Sequence, residues 1–269
     1  MDSHIIVFDI ETVPDVASGR RLYGLDDISD HDMAEIMLHE RRQSTGGEFL
    51  RPHLHRIVAI SLMMRSPEHC KVWSLGSPQA PEPELVKRFF DGIARHTPTL
   101  VSWNGSGFDL PVLHYRALLH GISAPRYWEI GDNEQGFRWN NYIGRFHWRH
   151  TDLMDVLAAY QPRAAAPLDE IAIMLGLPGK LGMHGSKVWK QFQIGDIDSI
   201  RNYCETDVLN TYLVYLRFEL IRGRLTGDQY RQECQMLRDS LLKDAREYGK
   251  THLDQFCSQW QTDEPYAQT

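Results

Sequence analysis

The chain has 269 residues, 42% of them hydrophobic and 24% charged, with a formal net charge of −7. That is ordinary for a soluble globular protein with a core of normal size. The acidic balance excludes a global positive field, so any polyanionic partner has to be held locally, by a few basic groups or by bound cations.

No apolar run approaches the ~18–20 residues that cross a bilayer. The opening MDSHIIVFDIE lacks the basic leader of a secretory signal. Cys70, Cys204, Cys234 and Cys257 show no C-x-x-C spacing. That argues against a zinc site or a disulfide framework and fits a reducing cytoplasm.

In chain order, HIIVFDI (4–10) predicts a strand that is apolar on both faces until Asp9, as a central buried strand would be. Residues 16–50 are charged and carry a helical stretch, DHDMAEIMLHERRQ, which reads as an excursion above the sheet. RIVAISLMM (56–64) and CKVWSL (70–75) predict two further strands, with PEHC as the turn of a hairpin. EPELVKRFFDGIARH (82–96) has helical periodicity. TLVSW (99–103) predicts a short buried strand, then the loop NGSGF and a helix from Asp109 to about His120. Residues 121–147 are rich in Gly, Asn and aromatics and spell no clear element. HTDLMDVLAAY (150–160) predicts a helix with Thr151 or Asp152 as its N-cap. Helices follow over about 167–175, 185–193 and 196–222, then a densely charged one over 226–250 and a frayed tail to Thr269. The order predicts one α/β domain over residues 1–225 with a helical C-terminal extension over 226–269.

Three acidic segments stand out. In FDIETVPD, Asp9 and Glu11 are two apart on a strand, on one face, with Cα atoms ~6.5–7 Å apart. They can share or flank one cation, or simply mark where a strand meets solvent. In VSWNGSGFDLPVL, Asp109 follows a strand end, where open α/β sheets carry ligand groups. It could equally be a helix N-cap. Gly105 and Gly107 invite a dinucleotide-binding reading, but that fingerprint wants a third glycine where Leu110 stands. In NYCETDVLNTY, Tyr203 and Asp207 are i and i+4 on one helix face, which a half-buried helix with an incidental acid would also explain.

Taken together, FDIETVPD, HRIVAISL, SWNGSGFDLPVL, GSKVW and YCETDVLNTY resemble the DEDD 3′–5′ exonucleases of the ribonuclease H-like fold. The resemblance is greatest to predicted exonucleases related to the proofreading domain of family B DNA polymerases, and it covers roughly residues 4–222. It implies a mixed central sheet flanked by helices. It aligns Asp9, Glu11, Asp109 and Asp207 with four metal-binding carboxylates and Tyr203 with the tyrosine of the tyrosine subclass; the alternative histidine position is Asn202. The implied cofactor is a pair of Mg2+ or Mn2+ ions. Asp9 would bridge both, Glu11 and Asp207 would hold the ion carrying the attacking water, Asp109 would reach the second, and Tyr203 would orient the water. The implied partner is the 3′ end of a single-stranded nucleic acid. DNA stands ahead of RNA, with RNA 3′-end processing, or binding without turnover, as alternatives.

Further substrate contacts are weaker expectations. Thr12 could face the 3′ nucleotide or cap a turn at Pro14, and Asn104 could orient that nucleotide or close its own turn. Phe108 belongs to the same motif. Ser186 and Lys187 of GSKVW could meet a phosphate or begin a surface helix. Asp152 and Asp155 read as a helix cap and a solvated position. His53, His55, His150 and His184 share no metal spacing and read as structural. Trp139, Tyr142, Phe146 and Trp148 could stack bases or pack in the core.

Overall fold

A computed structural model describes residues 4–182 and 185–261, with Ser186 through its backbone alone. His184 and the tail beyond Gln261 lie outside the described residues. The apolar run near the start of the chain forms β1 (Ile5–Pro14). Its alternating side chains reach two separate cores. Ile5 and Val7 pack with Met63, Val101 and Leu209, while Ile6, Phe8 and Ile10 pack with Leu62, Phe89 and Leu113. Burial on both faces is why this strand reads as a continuous hydrophobic run.

β2 (His55–Arg65) runs antiparallel to β1 along its whole length and forms a hairpin with β3 (Cys70–Ser74). Ser66 and His69 close the turn, each donating its N–H to the other's carbonyl. β4 (Thr99–Ser102) lies parallel to β1, and β5 (His150–Asp152) parallel to β4. The strand order is β3–β2–β1–β4–β5, a mixed sheet as expected.

α1 (Val16–Tyr23) and α2 (Asp30–Thr45) make up the charged excursion. Their own small core joins Met33 and Met37 to Leu50 and Leu54. α3 (Glu82–His96) and α4 (Asp109–His120) cover the Phe8 face of the sheet. α5 (Leu153–Leu157) and α6 (Leu168–Met174) follow β5. α7 (Val188–Gln193) packs Val188 against Val13 at the far end of β1. α8 (Ile197–Ile221) covers the Val7 face. α9 (Gly227–Tyr248) and α10 (Thr251–Gln259) place Leu237, Leu241, Leu253 and Phe256 in the same apolar cluster as Val7 and Leu209. Each such side chain, fully buried, contributes ~1.5–3 kcal/mol. No described helix is long and apolar enough to cross a membrane.

Three elements differ from expectation. β1 runs on past Ile10 to Pro14, because its neighbours differ in length: β4 pairs only with Ile5–Val7, whereas β2 continues the ladder to the end. Asp9 and Glu11 therefore sit within the strand, beyond the reach of β4, and a register irregularity follows directly between Glu11 and Thr12. HTDLMDVLAAY begins as β5, since Leu100–Ser102 capture the backbone of His150–Asp152 before Asp152 caps α5. The helix over 226–250 is followed by a separate α10 after left-handed Gly249.

Two buried ion-pair networks fasten the layers. Arg116 on α4 grips Glu82 through Nε at 2.7 Å and Nη2 at 2.5 Å, and Asp15 through Nη1 at 2.5 Å. Glu82 also accepts the backbone N–H of Ile57, so α4, α3, β2 and the start of α1 meet at one guanidinium. Arg65 on β2 forms a bidentate pair with Glu233 on α9, at 2.6 and 2.7 Å.

Candidate active site

Asp9 and Glu11 continue the row of Ile5 and Val7 on the face of β1 that α8 covers. There α8 presents Tyr203, Cys204 and Asp207. One ligand atom each from Asp9, Glu11 and Cys204 lies within 4.8 Å of the others. Asp109 arrives from the opposite layer at the first turn of α4, just past the end of β4, and its Oδ1 accepts the N–H of Ile10 at 3.1 Å. It is not the N-cap: Phe108 holds that position, without a side-chain bond. The loss of β4 pairing after Val7 leaves Ile10 N–H free on that side, and Asp109 takes it.

The cluster is electrostatically strained. Asp9 and Glu11 titrate well above the usual carboxylate range, first because they are buried and then because the neighbouring carboxylates repel a further charge. Burial pushes Asp109 up to about 7, against hydrogen bonds from its own N–H and that of Ile10. Burial pushes Asp207 up to about 6, against a hydrogen bond from Tyr203 and the charge of Lys180. Two like charges ~4 Å apart repel by ~4 kcal/mol at an effective dielectric near 20. Burial and the charges of Asp207, Glu11 and Asp9 drive the Tyr203 phenol far above its ordinary value, so it stays a neutral donor.

A pH dependence follows for chelator-treated protein. Asp109 has a folded pKa raised from 3.8 to about 7. Its contribution to stability is therefore complete below about pH 4 and is lost as pH rises through about 7. Asp109→Asn is expected to raise the melting temperature relative to wild type at about pH 8, by roughly 1–3 kcal/mol of stability, with the gain shrinking toward about pH 4. Differential scanning calorimetry at the two pH values measures this directly, and an equal difference at both would contradict it.

Lys180 is a participant the sequence did not reveal. Its ammonium lies 6.0 Å from the centroid of the Tyr203 ring and holds down both Glu11 and Asp207. It sits in an irregular loop with no periodic signal. Asn210 of α8 pins that loop by accepting from the Gly179 N–H and donating to the Gly179 carbonyl, and Asp169 accepts from the Lys180 N–H. Gly179 has φ +61°, and a Cβ there would meet Asp169 Oδ1 at 2.6 Å, so both conformation and space require glycine.

Asp152 does more than cap α5. Its two carboxylate oxygens accept the N–H groups of Asn104 and Ser106 at 2.9 and 2.8 Å, fixing the NGSGF loop that leads to Asp109. Asn104 takes the left-handed conformation, φ +62°, and closes that turn with its carbonyl accepting from Gly107 and Phe108. Asp155 is paired with Arg145.

Thr12 caps nothing at Pro14, which remains in β1. Its hydroxyl lies 2.8 Å from His55 Nδ1, while His55 Nε2 faces the Leu50 carbonyl at 3.2 Å. A carbonyl only accepts, so Nε2 carries the proton and Nδ1 accepts from Thr12; burial keeps this imidazole neutral by lowering its pKa. Phe108 packs against both His55 and Phe49, with centroids 5.0 Å apart in each case. Lys187 is exposed and, with Asn202 and Tyr203, lines a cleft of about 330 Å3. The Ser186 side chain lies outside the described residues.

His150 bonds Ser102, and His53 packs on Tyr115. Of the four aromatics, Tyr142 is core, stacked on Tyr127, whereas Trp139 and Phe146 are exposed and Trp148 carries the Arg222 guanidinium on its face.

The family described as predicted 3′–5′ exonuclease related to the exonuclease domain of PolB matches residues 47–260. The match begins after Asp9 and Glu11. The catalytic polypeptide of DNA polymerase epsilon from Dictyostelium discoideum is 29% identical over 142 residues, 51% of this chain and 6% of that protein. Among solved structures, the family B DNA polymerase of Pyrobaculum calidifontis is 16% identical with a TM-score of 0.48, covering 93% of this chain and 30% of that one. The zinc-bound complex of E. coli ExoI with ssDNA is 14% identical with a TM-score of 0.35, covering 80% and 44%. The chain thus spans less than half the length of each of these proteins. With the family match extending over most of its length, the chain belongs to the predicted 3′–5′ exonucleases related to the exonuclease domain of PolB.

Proposed function

We propose that this protein is a divalent-metal-dependent exonuclease that shortens single-stranded DNA from its 3′ end. The observation that carries the reading is that Asp9, Glu11, Asp109 and Asp207 are buried or half-buried near enough for the charges of Asp109, Glu11 and Asp207 to act on Asp9, and those of Asp207 and Asp109 on Glu11. Among the described residues none of the four forms a salt bridge with a basic side chain, and Lys180 alone offsets Glu11 and Asp207 from nearby. Such a set of hard oxygen donors fits Mg2+ or Mn2+. Bound there, a pair of ions would supply an activated water and stabilise charge on the entering and leaving oxygens.

The chain's own groups do the rest. Tyr203, a neutral phenol whose one hydroxyl proton goes to Asp207 in this structure, would turn that proton toward the attacking water once Asp207 holds an ion. Lys180 offsets negative charge on the same side. Asp152 holds the loop that brings Asn104 and Phe108 beside Asp109. Thr12, which follows Glu11 on β1 and is held by His55, would meet the terminal nucleotide. The relationship to a DNA polymerase domain supports DNA ahead of RNA.

Tyr203→Phe, which keeps the ring and removes the donor, is expected to lower kcat about 10²-fold with little change in KM. The reading as a whole is tested with matched DNA and RNA single strands labelled at the 5′ end. Stepwise 3′ shortening of DNA with Mg2+, abolished by chelator, is the expected result. Faster loss of RNA would move the substrate assignment to RNA, and no shortening of either would leave a binding domain without turnover.

A further inference from the structure

Cys204 is the one group in the acidic cluster that hard-metal chemistry does not use. It is wholly buried, and its thiol is within hydrogen-bond reach of Asp9, with Sγ 3.4 Å from Oδ2 and 3.4 Å from the carbonyl oxygen, so that its one proton now occupies the place a cation would take. Its sulfur also falls within the 4.8 Å set formed with Asp9 and Glu11. A tetrahedral ion with a ~2.3 Å bond to sulfur and a ~2.0 Å bond to oxygen holds those two ligands ~3.5 Å apart. Sulfur and carboxylate oxygen thus already stand at the separation that a shared cation would require.

We propose that Cys204 is a third protein ligand, beside Asp9 and Glu11, for a thiophilic divalent ion such as Zn2+ or Cd2+. The inference rests on the reading of Asp9 and Glu11 as a metal-holding pair. Mg2+ prefers oxygen and leaves the thiol protonated. A softer ion exchanges the S–H bond for a metal–sulfur bond, and the displaced proton goes to solvent with no change of oxidation state. The chain thereby carries its own discriminator between hard and soft ions, at the same carboxylates. Of the other cysteines, Cys70 and Cys257 are enclosed in the apolar cluster beside α9 and α10, and Cys234 packs against it.

The test titrates Cd2+ into the full, chelator-stripped chain and follows the ultraviolet sulfur-to-cadmium charge-transfer band, with Mn2+ binding read in parallel by electron paramagnetic resonance. Wild type is expected to show a saturable band. Asp9→Asn and Cys204→Ser are expected to lose it, and Cys204→Ser to keep its Mn2+ signal. Cd2+ affinity in Cys204→Ser should fall by at least the ~10–100-fold that losing even an outer-shell partner costs. Cys204→Ala, which puts no hydroxyl into the buried position, carries the same comparison should the serine variant misfold by circular dichroism. A band that survives both cysteine variants, or no band in wild type that binds Mn2+, overturns the inference and leaves the carboxylate reading standing. Wild type that binds neither ion removes both.

Discussion

Asp207→Asn is expected to lower kcat for 3′ shortening by about 10³-fold or more, with the fold retained. The substitution keeps shape and removes one charge from a group that is 9% exposed and stands among like charges. No basic side chain loses a salt-bridge partner, because among the described residues none forms one with Asp207. Stability in chelator should therefore hold or rise, since a repelling charge has gone. Loss of activity together with unchanged or higher melting temperature separates a functional carboxylate from a structural one. Wild-type kcat in Asp207→Asn would contradict the role given to it. Asp155→Asn is the contrast: Asp155 is paired with Arg145 near the surface, and its removal is expected to change stability by less than ~1 kcal/mol.

Arg116→Met should have the largest effect on folding. The Arg116 side chain is 5% exposed, and its two partners, Asp15 and Glu82, are equally enclosed. Removing the cation leaves Asp15 with only its Ser18 donors and Glu82 with only His120 and the Ile57 N–H, and breaking a buried pair in this way costs ~3–5 kcal/mol. For a chain of this size, at ~2–4 °C for each kcal/mol, the melting temperature should drop by roughly 10 °C. Its consequence for the site is indirect. Asp15 caps α1 directly after β1, and α4 begins at Asp109, so the network sets how the two acidic segments are held together. Replacing Asp15 and Glu82 by apolar residues alongside Arg116→Met is expected to recover much of the loss, as replacing a whole buried ion pair commonly does. A drop below ~1 kcal/mol for the single change would show that the partners find other donors. Lys87→Ala, which breaks an exposed pair with Asp91, should cost less than ~0.5 kcal/mol.

What was legible in the sequence depended on whether a signal was local. The α3 and α4 spans, the β2–β3 hairpin and the motif on α8 followed from periodicity, turn residues and i, i+4 spacing. The end of β1 has no local signal, because the apolar run stops at Ile10 while the pairing with β2 carries the backbone on to Pro14. β5 was hidden because its pairing with β4 lies some 50 residues away in sequence, as the match of Leu100 with His150 shows. The same limit applies to the site. Asp9 and Glu11 could be paired from spacing alone, but Lys180 reaches Tyr203 only through a loop pinned by Asn210. Cys204 has no C-x-x-C neighbour in the sequence, and only the packing of α8 on β1 sets its sulfur beside Asp9. The capping role of Asp152 is local, whereas its hold on the NGSGF loop requires β4 and β5 to be adjacent.

The central claim is that four carboxylates from β1, α4 and α8 form one receptor for divalent ions. Isothermal titration of Mn2+ into the chelator-stripped chain tests it most directly. Saturable binding of about two ions, lost or greatly weakened in Asp9→Asn, is the predicted result. Absence of saturable binding, or binding unchanged in Asp9→Asn, would contradict it.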